Sequence, residues 1–194
     1  MTRKPLLLML LAPCFLTGAG CELEKPTAVR VLPGPSFAFS GSGRLASLTV
    51  SAPLDAQKIA FPCGKVLFPC SGLSSVVWQI EAEGGNRKAS SVDGLQITVG
   101  KSVQGYAQTV PGQSSDVPNF RSGVIYAYSA ETLNAAGQNG YFYVESSGVI
   151  VPVDVPDLCV TLKDGREVRV NCTTKELFQE PSDLESFVHA HRKS

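Results

Sequence analysis

The chain has 194 residues, with 17 Lys and Arg against 17 Asp and Glu and so a formal charge of zero. Its basic residues are scattered rather than clustered, which argues against a nucleic-acid partner, because such proteins carry a basic patch or stripe. The length suits one well-buried core better than two halves of marginal size.

At the N-terminus, Arg3 and Lys4 precede an apolar run over residues 6–16 that only Pro13 interrupts, followed by the small residues Thr17, Gly18, Ala19 and Gly20. This is the three-part layout of an export signal. The run is too short to span a bilayer, which takes about 20 apolar residues. The stretch Leu16-Thr17-Gly18-Ala19-Gly20-Cys21 resembles the lipobox of bacterial lipoprotein precursors, with Gly18 standing where an apolar residue such as Leu is commonest. The resemblance implies cleavage before Cys21, lipidation of that cysteine and a membrane-anchored extracytoplasmic protein. Glu22, in place of the Asp that favours inner-membrane retention, implies the outer membrane, facing the periplasm. Cys14 competes poorly as the lipidated residue, because Pro13 is unsuited to a cleavage point. Ordinary secretion, with Cys21 free or disulfide-bonded, is the alternative, and on either reading the chain leaves the cytoplasm. The stretch Phe37-Ala38-Phe39-Ser40-Gly41-Ser42-Gly43-Arg44-Leu45 and residues 94–148 resemble small uncharacterised bacterial lipoproteins, which implies no activity and assigns no functional residue.

Removing residues 1–20 takes away Arg3 and Lys4 and no acid, leaving 15 basic against 17 acidic residues, a charge of −2. The expected organisation is a cleaved signal at 1–20, an anchor and linker at 21–35, a β domain at 36–173 and a C-terminal helix or tail at 174–194. Runs rich in β-branched and aromatic residues predict strands at 27–32, 45–51, 76–81, 95–99, 106–110, 124–129, 141–145 and 149–155, separated by Gly, Pro, Ser and Asn clusters. No helical pattern alternates with them. The expected fold is therefore mostly β, an antiparallel two-sheet β-sandwich of Ig-like architecture.

Four cysteines lie beyond Cys21, and an even number in an oxidising compartment suggests disulfides. Of three possible pairings, Cys63–Cys70 and Cys159–Cys172 are favoured, because each pair brackets a short turn-like segment. In the second, β-branched residues flank Asp164-Gly165, a strong hairpin signal. A two-residue turn there sets Cys159 opposite Val170, so a longer loop or a bulge is expected to bring the cysteines to bridging distance. Zinc fits less well, since neither pair has the usual two-to-four-residue ligand interval. At the C-terminal end, Ser182-Asp183-Leu184-Glu185 has a capping-box arrangement, and Leu184, Phe187, Val188 and His191 fall on one helical face.

The candidate chemistry is sparse. His189 and His191 are two residues apart near a chain end, where a helix points them to different faces. The chain has no nucleophile elbow, no phosphate-binding loop, no metalloprotease motif and no cofactor motif. Glu81 and Glu83 alternate onto one strand face and Glu131 is expected in a loop, a formal carboxylate set for a hydrolase with no partner fixed by spacing. Trp78 is expected in the core. Tyr126 with Tyr128, and Tyr141 with Tyr143, form two i, i+2 pairs, each on one face of its strand. On neighbouring strands they could make a platform that stacks on sugar rings, or they could be half-buried cross-strand pairs. No catalytic residue, metal site or cofactor is assigned and no enzyme is expected. The expected role is binding or envelope interaction, with the membrane reached through lipidated Cys21 and an envelope protein or a glycan as partner. A carbohydrate- or peptidoglycan-binding module and a hydrolase are the alternatives.

Overall fold

The computed structural model describes residues 25–55, 58–60, 74–84, 89–111 and 118–193. Its strands, in chain order, are β1 (Ala28–Leu32), β2 (Ser36–Ser40), β3 (Arg44–Pro53), β4 (Ser74–Ala82), β5 (Gln96–Thr98), β6 (Tyr106–Val110), β7 (Val124–Leu133), β8 (Gln138–Val144), β9 (Ile150–Val153), β10 (Leu158–Lys163) and β11 (Arg166–Asn171). One helix, α1, spans Leu184–Ala190. β1, β2 and β5 form a three-stranded sheet in the order β1-β2-β5, and a six-stranded sheet runs β6-β4-β3-β7-β8-β9. All the named strand pairs in both are antiparallel. The mostly β sandwich with a short C-terminal helix is the fold expected from the sequence.

The inner faces meet over one apolar cluster. Val29, Val31, Phe37, Phe39 and Ile97 of the small sheet pack against Leu45, Leu48, Val50, Trp78, Ile80, Tyr126, Tyr128 and Phe142 of the large one. Trp78 is fully buried, and its indole N–H donates to Gln108 Oε1 at 2.9 Å, so its one polar atom is satisfied. Burying a large apolar side chain of this kind contributes about 1.5–3 kcal/mol each.

A third layer covers the β7–β8–β9 part of the large sheet's other face. Ile125, Ala127, Tyr141, Tyr143, Val151 and Val153 pack beneath Ile59, Ala60, Leu158 and Val188, with Phe178, Leu184 and Phe187 at the margin. The cover comprises residues 59–60, the β10–β11 hairpin, the segment after it and α1. β-Branched and aromatic residues on both faces of β7 and β8 require this, because a sheet apolar on both sides needs two partners.

Several boundaries differ from those the sequence suggests. The strand expected at 27–32 is β1, and because it pairs with β2 and buries Val29 and Val31, the linker expected at 21–35 ends before it. β2 was not anticipated, because its short Phe37-Ala38-Phe39 run merges with the Gly-Ser turn behind it. The hairpin keeps its two-residue turn at Asp164 and Gly165, whose φ values of 53° and 72° are those of a type I′ turn. Cys159 does lie opposite Val170, yet Cys159 and Cys172 are bridged with a Cα separation of 5.0 Å and no longer loop. The bridge crosses the diagonal as Cys172 leaves the strand, held by its N–H to the Asp157 carbonyl at 2.7 Å. Cys63 and Cys70 lie outside the described residues.

The helix cap is Asp183 rather than Ser182: its carboxylate accepts from the Glu185 N–H at 3.0 Å and from the Ser186 hydroxyl at 2.5 Å. Residues beyond α1 dock. Asp154 N–H donates to the His191 carbonyl at 2.8 Å and Lys193 N–H to the Pro152 carbonyl at 3.0 Å, so this segment lies along the outer edge of β9.

Candidate functional site

The tyrosines are the first feature to place. β7 and β8 are neighbours, and the register sets Tyr126 opposite Phe142, Tyr128 opposite Gly140, Ala127 opposite Tyr141 and Ile125 opposite Tyr143. Residues directly opposite share a face, so the two pairs are out of phase by one residue. Tyr126 and Tyr128 point into the sandwich, whereas Tyr141 and Tyr143 point into the third layer. All four are buried, at 2%, 4%, 6% and 6% exposure respectively. Of the two alternatives, the platform therefore does not form, on two counts: the rings face opposite sides and each side is covered.

Their environments explain what they do instead. Tyr126 stacks on Phe142 at 5.3 Å between ring centroids, and its hydroxyl accepts from the Arg121 N–H at 2.8 Å. Tyr128 meets Phe37 edge to face at 5.4 Å, and burial pushes its phenol up to about 12. Gly140 leaves the space in which that ring lies. The Tyr141 phenol is pushed well above its ordinary value by burial first and then by the Asp157 carboxylate, with Arg169 acting the other way. Tyr143 is shifted up by burial, then by Glu185, Asp183 and Glu145. All four rings are core residues, and of them Tyr141 and Tyr143 each also line a cleft.

The carboxylates are brought closer than the sequence could indicate. Ser47 on β3 is paired with Glu81 on β4 and with Glu131 on β7, which puts the two glutamates on one sheet face, two strand spacings or about 10 Å apart by backbone. Glu131 thus belongs to a strand, not a loop. Ser47 Oγ donates to Glu131 Oε2 at 3.3 Å, and Gln79 Nε2 donates to Glu81 Oε1 at 2.8 Å. Both glutamates are exposed, and Glu83 lies past the end of β4. Neither of the two clefts described next is lined by any of the three.

His191 stacks on Phe187 at 4.2 Å, and its Nδ1 lies 2.9 Å from the Phe187 carbonyl, so it serves to hold the end of α1. His189 is exposed in the last turn. Among the described residues no group of three or more His, Cys, Asp or Glu side chains converges to hold a metal, and no described helix is long and apolar enough to cross a membrane.

Two clefts flank the third layer at opposite ends of β8. One, of about 510 Å³, lies by Gly123, Tyr143 and the segment leading into α1. The other, of about 360 Å³, opens where β9 parts from β8 after the Tyr141–Val153 pair. Its walls include Gly137, Gly140, Tyr141, Asp154, Asp157 and the Cys159–Cys172 bridge, and Lys193 stands at its rim, 3.3 Å from Asp154. Sequence spacing gave no sign of it, because its residues come from four separate segments. Compared with known proteins, the chain matches no family model, no curated protein and no solved structure.

Proposed function

We propose that this chain is a lipid-anchored extracytoplasmic β domain with a binding role at the cell envelope, on the outer membrane and facing the periplasm. The observation that carries the reading is the lipobox-like segment at residues 16–21 behind its short apolar run. The Cys159–Cys172 bridge supports it, because such bonds persist in oxidising compartments and are rare in the cytosol. Two or three acyl chains on Cys21, at about 0.8 kcal/mol per buried methylene, give stable anchoring where one chain gives only marginal binding. Residues 21–27 reach at most about 25 Å. Thr27 is already part of the sandwich, its N–H bonded to the Ala136 carbonyl at 3.1 Å. The domain would therefore ride close to the bilayer, with the end that carries Thr27 and Ala136 turned toward it. An envelope protein or glycan would be met through surfaces other than the buried tyrosines.

Intact mass and membrane fractionation of the protein made in a bacterial host, wild type beside Cys21→Ser, test the anchor. A lipid-sized mass increment and membrane association that both vanish in the variant are expected. A soluble wild-type protein without the increment would overturn the reading.

A further inference from the structure

We infer that the cleft between Tyr143 and the segment leading into α1 binds a small organic dication, a short carbon chain with an ammonium at each end. The site stands apart from the lipid anchor, since Cys21 takes no part in it. The cleft measures about 510 Å³, within the roughly 300–1,000 Å³ of small-molecule sites. The Tyr143 hydroxyl is what points to a ligand. Its ring is buried to 6% exposure on the third-layer face of β8, between Ile125 of β7 and Val151 of β9. Among the described residues no group hydrogen-bonds that hydroxyl, yet the oxygen is not sealed in, so it opens onto the cleft that the ring lines. A polar atom so placed is left for water or a ligand to satisfy. Burial first, and then Glu185, Asp183 and Glu145, hold the phenol above its ordinary value, so it stays a neutral hydroxyl whose lone pairs can accept.

Charge selects a cation. The walls carry Asp55, Glu180, Asp183 and Glu185 against one ammonium, Lys58. Even with the Arg169 guanidinium that meets Glu180 counted, four acids stand against two cations. Asp183 is held by neutral donors, the Glu185 N–H and the Ser186 hydroxyl, which leave its charge in place. No described cation pairs with Glu185. The chain as a whole is formally neutral, so this excess is local. Among the described residues no three acids converge on a point, as the oxygen ligands of a metal ion must. Negative charge spread along a wall matches positive charge spread along a ligand, and Leu184, Pro181 and Tyr143 supply apolar surface for the methylenes between. One ammonium donates to Tyr143 Oη and pairs with Glu185, and the second meets the remaining acids of the wall.

The test is calorimetric titration of the full chain carrying Cys21→Ser with 1,4-diaminobutane at low salt. The diamine is expected to bind and to raise the melting temperature. Tyr143→Phe, which removes only the hydroxyl, and Glu185→Gln, which removes only the charge, should each weaken binding about tenfold, the effect of one hydrogen bond to a charged group. Glu83→Gln removes the same charge away from the cleft and should leave the affinity unchanged. Butylamine, of the same length with one ammonium, should bind about tenfold more weakly. Absence of diamine binding overturns the site, as does an affinity that survives either cleft substitution. An equal loss with Glu83→Gln overturns it too, by showing diffuse attraction to acids. Butylamine or magnesium binding as tightly as the diamine overturns the dication as ligand. If Tyr143→Phe shifts the ligand-free melting curve, Glu185→Gln, at an exposed position of α1, decides the matter alone.

Discussion

Adding one methyl group at Gly140 tests the burial of the tyrosines. Gly140 lies opposite Tyr128, and a Cβ there would stand 2.5 Å from Cζ and 2.7 Å from Cε1 of that ring, well inside ordinary carbon contact of about 3.5–4.0 Å. The ring has nowhere to go. It is 4% exposed and edge-on to Phe37. In an open strand Gly→Ala gains about 0.5–1 kcal/mol through lost chain entropy, whereas overpacking a core costs about 1–3 kcal/mol. Gly140→Ala is therefore expected to destabilise by about 1–2 kcal/mol in the wild type. Tyr128→Leu removes Oη, Cζ and Cε1, the three atoms nearest the new methyl. In that background the same substitution should turn mildly stabilising, giving a coupling of about 1–3 kcal/mol, the overpacking term itself. Urea unfolding of the four proteins in a double-mutant cycle measures it. Additivity within about 0.5 kcal/mol would refute the packing of Tyr128 across Gly140 and reopen the question of an exposed ring.

Replacing both Cys159 and Cys172 by Ser opens a loop of sequence separation 13 and is expected to cost about 3 kcal/mol, seen as a lower urea midpoint. A midpoint unchanged from the oxidised wild type would show that the hairpin owes nothing to the bridge. Asp183 is held below its usual range first by the Ser186 hydroxyl and then by the Glu185 N–H. The unfolded chain therefore binds more protons, so the cap contribution is present above the unfolded value of about 4 and lost as pH falls through the lower folded value. Amide exchange at Phe187 and Val188 should quicken over that acid range in the wild type and not in Asp183→Asn, which keeps a capping oxygen without the titration.

What the sequence disclosed was local. The strand over residues 106–110 matches β6, and Asp164-Gly165 makes the two-residue turn its composition demands. Each tyrosine pair does share one face of its own strand, as a period of two requires. The phase between β7 and β8 is set by pairing across the sheet, and a shift of one residue exchanges the faces. The same long-range pairing put Glu81 and Glu131 on either side of Ser47, though 50 residues separate them along the chain. The third layer escaped notice because short apolar runs such as that of β9 look alike whether one or both faces are covered. The cleft at Asp157 is assembled from four segments far apart in the chain, so composition and spacing carry no trace of it.

The strip of chain beside β9 has a consequence for handling the protein. The backbone hydrogen bonds from Asp154 to His191 and from Lys193 to Pro152 close one margin of the large sheet, and α1 holds that strip in place through Val188. A protease cut or premature stop between Glu180 and His191 would strip β9 of this cover and lay bare Tyr143 and Val153. Such a fragment would offer an unprotected strand to its neighbours, the usual route to edge-to-edge association. The same loss would dismantle walls of both clefts, since Asp183 lines one and Lys193 stands at the rim of the other.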